Sequence, residues 1–133
     1  MTKNLSWMLD GVLEIPGALH AVLVSADGLL MTSSKELDKD NAERAAAGMS
    51  GVQSLSRSLA FFCDQPGLKW QQTVVEFDGG WIFLISAGSG AYLAVSATTD
   101  VDMESITYRM QLIVSQLGKE LATSPREGTG ARP

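Results

Sequence analysis

Apolar residues recur at intervals of three and four positions between residues 40 and 62. This spacing predicts one long helix with an apolar face, formed by Ala45, Met49, Val52, Leu55, Leu59 and Phe62. Asp40 is the predicted N-cap, and Glu43 stands three positions later in a capping-box pattern. A second line of small residues follows the same spacing along this helix, namely Ala47, Gly51, Ser54 and Ser58.

Two glycines, Gly48 and Gly51, fall inside this predicted helix. Each costs about 1 kcal/mol relative to alanine at an interior helical position. A helix that keeps both glycines is expected to recover this stability through the close approach of another backbone. Two interpretations remain open at this point. The helix packs tightly on the chain's own sheet, or it also meets a second helix in a partner or in a copy of itself.

Shorter patterns before the long helix predict a helix and a hairpin. Apolar spacing over residues 5–13 predicts a helix that ends at Pro16-Gly17. The apolar run at 18–25 and the short run at 29–32 predict two strands. Asp27-Gly28 between them is a strong two-residue turn signal.

Three further strands and a last helix are predicted after the long helix. The strands are expected at 71–78, 81–85 and 92–98, separated by Gly79-Gly80 and by the turn Gly88-Ser89-Gly90. Asp100 or Asp102 would cap the last helix. Its predicted buried stripe is formed by Met103, Ile106, Met110, Ile113, Leu117 and Leu121.

The predicted order is therefore α-β-β-α-β-β-β-α, which places the chain in the α/β class. Tight turns between successive strands favour a five-stranded antiparallel or mixed sheet. The strand at 81–85 is apolar on both faces, which requires helices on both sides of the sheet and predicts a three-layer α/β/α sandwich. Residues 1–122 are expected to form one domain. Residues 123–133 are small, polar and rich in Pro and Gly, and are expected to be a disordered tail.

Composition excludes several classes of function. The net charge is -5 and the basic residues are dispersed along the chain. This argues against nucleic-acid binding, which needs a concentrated positive face, and against direct binding to an anionic membrane. No apolar run approaches the length of a membrane span, so direct insertion is not expected. The single cysteine, Cys63, allows no intramolecular disulfide, which is typical of a reducing compartment and favours a cytoplasmic location.

Candidate catalytic residues are few. His20 is the only histidine and falls within an apolar strand, which favours a structural role. Cys63 has no basic neighbour in the sequence that would activate its thiol, so packing is its expected role. The Gly88-Ser89-Gly90 segment leads into a strand, whereas a phosphate cradle leads into a helix. We predict no catalytic residue, no cofactor and no metal site, and therefore a protein that is not an enzyme.

Charged and aromatic residues provide the candidate partner contacts. Asp38, Asp40 and Glu43 form an acidic patch that the helix dipole explains, and docking of a basic partner is a secondary interpretation. Arg44 and Arg57 are expected to shield the helix or to form salt bridges. Asp40, Glu43, Arg44 and Arg57 are together the predicted partner-binding residues. Trp70 and Trp81 flank the strand predicted at 71–78. They are interpreted either as anchors of an interface or as part of the rim of the core.

Taken in order, these segments resemble the Roadblock/dynein light chain family. The helix at 5–13, Pro16-Gly17 and the sequence AVLVSADGLL at 21–30 are similar to its opening. The sequences AAAGM at 45–49 and VVEF at 74–77 with Gly79-Gly80 look like its small-residue helix and its third strand with the following turn. The sequences AYLAV at 91–95 and ITYRM at 106–110 look like its fifth strand and closing helix.

The resemblance implies a non-enzymatic homodimer that binds a Ras-like small GTPase or serves as a scaffold in a signalling complex. In that family the long helices pair across a two-fold axis and the third strands meet edge to edge. Carried onto this chain, the dimer contact would use Ala47, Gly51, Ser54, Leu55, Ser58, Thr73, Val74, Val75, Glu76 and Phe77.

The single-domain layout and the Pro/Gly-rich tail look most like the actinobacterial members, which are encoded beside a sensor histidine kinase and a small GTPase. The resemblance therefore also implies a kinase partner, through which the protein would be recruited to the membrane. Met103-Glu104 departs from the glycine that many relatives carry where the last helix begins. An alternative function is a small-molecule-binding sensor domain, which would need a hollow with convergent polar groups.

Overall fold

A computed structural model describes residues 5–88 and 90–129, with only the backbone described over 120–129. The elements are α1 (Ser6–Leu13), β1 (Ala18–Ser25), β2 (Leu30–Ser33), α2 (Lys39–Ser58), a short 3₁₀ helix (Ala60–Cys63), β3 (Gln72–Phe77), β4 (Gly80–Ser86), β5 (Ala91–Ala97) and α3 (Met103–Thr129). The predicted order of helices and strands is confirmed. Each predicted strand end lies within one residue of its observed position, because alternating apolar residues and glycine-containing turns mark these ends clearly in the sequence.

The five strands form one sheet in the order β2-β1-β5-β4-β3. Every neighbouring pair is antiparallel, so the antiparallel form of the prediction is the correct one. β2 and β3 are the two edge strands. In β3, Thr73 lies opposite Leu84 and Val75 lies opposite Ile82 on β4. The other side of β3 pairs with no strand among the described residues.

Helices cover both faces of the sheet, which confirms the three-layer sandwich. The terminal helices α1 and α3 cover one face and enclose the larger core, which includes Leu9, Val12, Leu23, Phe83, Leu93, Ile106, Met110 and Leu117. Helix α2 covers the other face, where the smaller core consists of Val22, Val24, Ala42, Ala46, Leu84, Tyr92 and Ala94. Ala42 and Ala46 present only a methyl group to the sheet, so α2 can lie close to it.

Helix α2 begins and ends earlier than predicted. Asp38 is the N-cap: the Asn41 backbone N–H donates to its Oδ2 (3.2 Å) and the Asn41 side-chain amide donates to its Oδ1 (2.8 Å). The prediction of Asp40 as N-cap, with Glu43 closing a capping box, is wrong because Asp40 is already helical. The helix ends at Ser58, and the 3₁₀ helix that follows is terminated by Asp64 in the left-handed conformation (φ 59°).

Asp102 rather than Asp100 stands before α3. The Ser105 hydroxyl donates to the Asp102 carboxylate, and the Ile106 backbone N–H donates to the Asp102 carbonyl (3.0 Å). The described backbone of α3 continues through residues 123–129, the first part of the expected disordered tail. Residues 130–133 lie outside the described residues, as does the side chain of Leu121, so the tail stays a prediction.

Candidate functional site

The line of small residues on α2 faces away from the sheet. Ala47, Gly51, Ser54 and Ser58 are all exposed. A Cβ atom added at Gly48 or Gly51 would meet no atom within 4 Å. Helix α2 instead packs on the sheet through Ala42, Ala46 and Gln53, which are buried. The chain's own sheet therefore does not require the two glycines. The interpretation that they allow tight packing on this sheet loses its support, and close approach by a second helix is the interpretation that remains.

The predicted apolar face of α2 is covered by the sheet only in part. Ala45, Met49 and Val52 are half-buried and pack against the smaller core. Beyond them, the predicted face turns into solvent, with Leu55 68% exposed and Phe62 81% exposed. Helical periodicity alone could not distinguish these two parts, because it records apolar character and not what covers it.

The exposed apolar side chains at the end of α2 continue into the 3₁₀ helix. Leu55 and Leu59 belong to α2 and its C-cap, and Phe61 and Phe62 follow. The rings of Phe61 and Phe62 meet edge to face with centroids 6.3 Å apart. We call these four residues the apolar ridge. Grouped apolar side chains of this size on a surface mark contact sites more often than isolated ones do.

The free edge of β3 is tied to α2 by side-chain hydrogen bonds. The Trp70 indole N–H donates to Thr73 Oγ1 (2.8 Å), and the Thr73 hydroxyl donates to Ser56 Oγ (2.8 Å). Along β3, Thr73 and Val75 are half-buried, whereas Val74, Glu76 and Phe77 are exposed. The edge of β3 is therefore held against the C-terminal half of α2 while its outer side is left accessible.

The ten predicted dimer residues do not all share one surface. Successive residues of a helix point about 100° apart, so Ser54 and Leu55 face different directions. Leu55 belongs to the apolar ridge. Ser54 and Ser58 line a groove on α2. The assignment of all ten residues to a dimer contact stays a prediction.

The four predicted partner-binding residues lie at the two ends of α2. Asp40, Glu43 and Arg44 are exposed in its first two turns, and Arg57 is exposed in its last. Asp40 and Arg57 are separated by about 25 Å along the helix axis, given a rise of about 1.5 Å per residue. Neither arginine forms a salt bridge within the described part of the chain, in contrast to Arg109, which pairs with Glu14 (3.5 Å).

The groove beside α2 has a volume of about 750 Å³ and was not predicted. Its wall is formed by the C-terminal half of α2, the segment 68–70 and the strand ends around Ser86 and Tyr92. Arg57 and Lys69 line it, and no acidic residue does so among the described residues. Trp70 and Tyr92 meet edge to face there, with ring centroids 5.8 Å apart.

Gln53 is the buried polar residue of this groove. It is only 4% exposed, and its side-chain amide forms no hydrogen bond with any other described residue. The sequence contains a signal for this position, because Gln53 follows Ala42 and Ala46 on the face of α2 that meets the sheet. With no protein partner among the described residues, its amide takes its hydrogen bonds from the solvent or from a ligand in the groove.

The candidate catalytic residues, His20 and Cys63, do not form a common site in the folded chain. His20 is half-buried in β1, and its Nδ1 is buried without a hydrogen bond. Cys63 is exposed at the end of the 3₁₀ helix, so the expected packing role is wrong. No set of three or more His, Cys, Asp or Glu residues within the described ranges could hold a metal ion. Among the same residues, no helix is both long and apolar enough to cross a membrane.

The glycine turn and the two tryptophans are structural. The Ala91 backbone N–H donates to the Gly88 carbonyl (2.9 Å), and the Ala87 N–H donates to the Ala91 carbonyl (2.8 Å). This is a hairpin turn, although Ser89 itself lies outside the described residues. Trp81 stacks on Phe83 at 6.2 Å, and Trp70 packs against the smaller core, so both lie at the rim of the core.

These features define an α/β/α domain whose central helix and edge strand present an accessible small-residue and apolar surface. The chain belongs to the Roadblock/LC7 domain family, whose model matches residues 5–97. A Roadblock/LC7 domain from Streptomyces avermitilis is 37% identical, with 90% of this chain and 99% of that chain covered and a TM-score of 0.84.

Two more distant structures share the fold. MglB from Myxococcus xanthus is 16% identical, covering 90% of this chain and 95% of its own, with a TM-score of 0.79. A structure of MglB with a tetrameric arrangement is 14% identical, covering 90% of this chain and 91% of its own, with a TM-score of 0.77. Comparison with curated protein sequences gave no significant match.

Proposed function

We propose that this protein is a homodimeric, non-enzymatic regulator or scaffold of a Ras-like small GTPase in a signalling complex. The observation that carries the proposal is the open space around Gly48 and Gly51. Neither glycine is needed for packing within the chain, because an added Cβ would meet nothing within 4 Å at either position. The cost of about 1 kcal/mol for each is offset when a second helix approaches the backbone closely.

A second copy of the chain is the occupant that this surface fits best. The apolar ridge lies directly after the glycines, so a symmetry-related helix would cover Leu55 and Leu59 while it crosses the small residues. The free edge of β3 supports the same arrangement. An unpaired strand edge can pair with another chain, and two identical β3 edges would extend the sheet across the two-fold axis.

The GTPase partner rests on family membership. The family resemblance implies a Ras-like partner, and the exposed charges Asp40, Glu43, Arg44 and Arg57 are the side chains of α2 proposed to meet it. The tetrameric arrangement of MglB shows that a related fold assembles into oligomers. A sensor histidine kinase is a further proposed partner, and recruitment of a cytoplasmic dimer to the membrane would run through it.

Replacement of Gly51 by Leu tests the dimer. The added side chain would block close approach of a second helix, whereas leucine favours the helix itself by about 1 kcal/mol relative to glycine. We expect the wild type to sediment as a dimer at tens of micromolar, roughly the range for an obligate dimer, and Gly51→Leu as a folded monomer. Gly118→Leu in α3 is the matched control, since an added Cβ also meets nothing there. A monomeric wild type would refute the dimer.

Binding of a GTPase is tested separately with a Ras-like GTPase from the same organism. The GTPase is loaded with GDP or with a non-hydrolysable GTP analogue and captured on immobilised wild-type protein. We expect capture of one nucleotide state in preference to the other, and weaker capture by Arg44→Glu. Hydrolysis and nucleotide exchange, followed in the same samples, separate a regulator from a tether. Equal, weak retention in both states with no effect on either rate would refute the proposal.

A second function, binding of a small molecule, is favoured by the groove. Its volume and the polar side chains that line it support a small-molecule sensor domain, and the groove is compatible with a dimeric regulator.

A further inference from the structure

The side-chain amide of Gln53 is the most informative group in the groove. The side chain is buried as a whole, but its amide keeps a solvent contact in the groove, so a ligand there can replace water as its hydrogen-bond partner. Gln53 is 4% exposed and has no partner among the described residues, yet it reaches the wall of an open groove. A ligand that accepts from its N–H₂ group would satisfy it.

The charge of the groove selects the kind of ligand. The protein carries a net charge of -5, but the groove is lined by the cations Arg57 and Lys69 and by no carboxylate among the described residues. Neither cation forms an ion pair within the described part of the chain. Two cations without an ion pair and an amide donor line the same groove, and this combination favours an anion.

The size of the groove and the aromatic side chains within its largely polar lining indicate more than an inorganic ion. Its volume of about 750 Å³ lies within the range of roughly 300–1,000 Å³ that is usual for small-molecule sites. Leu68, Trp70 and Tyr92 provide apolar and aromatic surface beside the polar groups. The serine hydroxyls of Ser54 and Ser86 supply further donors for an oxygen-rich ligand.

We propose that the groove beside α2 binds a small organic anion through its carboxylate or phosphate groups, with Gln53, Arg57 and Lys69 as the recognising residues. The ligand deepens the sensor function proposed above and depends on neither the dimer nor the GTPase. Ser54 and Ser58 belong both to the groove and to the predicted dimer contact. The groove therefore shares these two residues with the surface proposed for the second copy, and ligand binding is expected to change the strength of that contact.

Citrate and ADP are the probes that test the site, one carrying carboxylates and the other phosphates. Each is titrated into ¹⁵N-labelled full-length protein at constant ionic strength, with sodium chloride as the matched control. We expect saturable shifts of the Gln53 side-chain amide and the Trp70 indole N–H, with a Kd of about 1 mM or tighter. Saturation by citrate alone assigns the carboxylate source, and saturation by ADP alone assigns the phosphate source.

Substitutions assign the effect to the groove. Arg57→Gln and Gln53→Leu are each expected to weaken binding at least about tenfold. Arg44→Gln removes an equal charge from the same helix outside the groove and is expected to leave the Kd unchanged. Circular dichroism checks that each variant is folded, and Lys69→Gln replaces any variant that is not.

Two results would overturn the anion site. The first is a linear shift with both probes that sodium chloride reproduces. The second is an equal loss of affinity in Arg44→Gln and Arg57→Gln. Sedimentation of the same samples keeps the proposals apart, because a monomer that still binds citrate or ADP would refute the dimer and leave the groove intact.

Discussion

Single residues on α2 determine both how the helix packs on the sheet and which part of its surface stays exposed. Ala42 and Ala46 bring the helix close to the sheet because they add only one methyl group each, and both are fully buried. On the outer side of the helix, a Cβ atom added at Gly48 or Gly51 would meet no atom within 4 Å. The buried alanines and the exposed glycines have similar bulk, so their different roles are decided by position on the helix and not by size.

The start of α2 depends on one carboxylate. Hydrogen bonds from the Asn41 backbone N–H and from the Asn41 side chain hold the pKa of the Asp38 carboxyl below its ordinary value of 3.8. A lowered folded-state pKa means that the cap stabilises the protein above the unfolded-state pKa. This contribution is lost as the pH falls through the lowered value.

Replacement of Asp38 by Ala is therefore expected to lower the melting temperature at pH 7, because the Asn41 backbone N–H at the helix start and the Asn41 side-chain amide lose their acceptor. The difference from wild type should shrink as the pH falls below about 3.8 and through the lowered pKa of Asp38. Thermal unfolding followed by circular dichroism over this pH range measures both effects. Asp40→Ala is the control, since Asp40 is helical and caps nothing. An equal loss in the two variants would contradict the assignment of the cap.

At the scale of the elements, the sequence predicts the strands better than the ends of α2. Glycine turns at Gly79-Gly80 and Gly88-Gly90 stop the strands sharply, so the alternating pattern gives their ends within one residue. Helix α2 has no such stop. Leu59 and Phe62 continue its apolar spacing beyond the last helical turn, because the 3₁₀ helix repeats at nearly the same interval.

The candidate site was predicted less completely than the fold, for a physical reason. Apolar periodicity cannot say whether Leu55 is covered by its own sheet or by another molecule, since both require the same kind of side chain. The groove is formed by three separate stretches of the sequence, namely the C-terminal half of α2, the 68–70 segment and the hairpin ends of β4 and β5. No local pattern brings Gln53, Lys69 and Tyr92 together; only the packing of α2 on the sheet does.

The edge strand β3 offers a test at this scale. Val74 is 40% exposed on β3, and Met31 is 39% exposed on β2 at the opposite edge. In a two-fold dimer, Val74→Lys would place two positive charges near each other at the joined edges. We expect it to weaken the dimer at least about tenfold, roughly 1.4 kcal/mol, as measured by sedimentation over a range of concentrations. Met31→Lys is expected to have no effect. Equal behaviour of the two variants would show that the β3 edge is not the contact.

In the molecule as a whole, the two faces of the sheet are covered unequally by helices. Helices α1 and α3 together enclose the larger core, whereas α2 alone covers the other face. Met49 and Val52 are only half-buried there, and the apolar ridge extends beyond them. A second copy that lies along α2 would cover this incompletely buried side. Association and folding stability are then coupled, because the dimer contact removes apolar area from water that the isolated chain leaves exposed.

This coupling predicts that the melting temperature depends on protein concentration. For a dimer that binds only in the folded state, a tenfold increase in concentration adds about 1.4 kcal/mol to the free energy of unfolding. In a domain of this size, we expect the melting temperature to rise by roughly 2–5 °C. Leu55→Asp places a charge in the apolar ridge and should abolish this dependence. Leu112→Asp, at an exposed apolar position on α3, should keep it. A wild-type melting temperature that stays constant from about 1 to 100 micromolar would mean that the exposed ridge is not covered by a second copy.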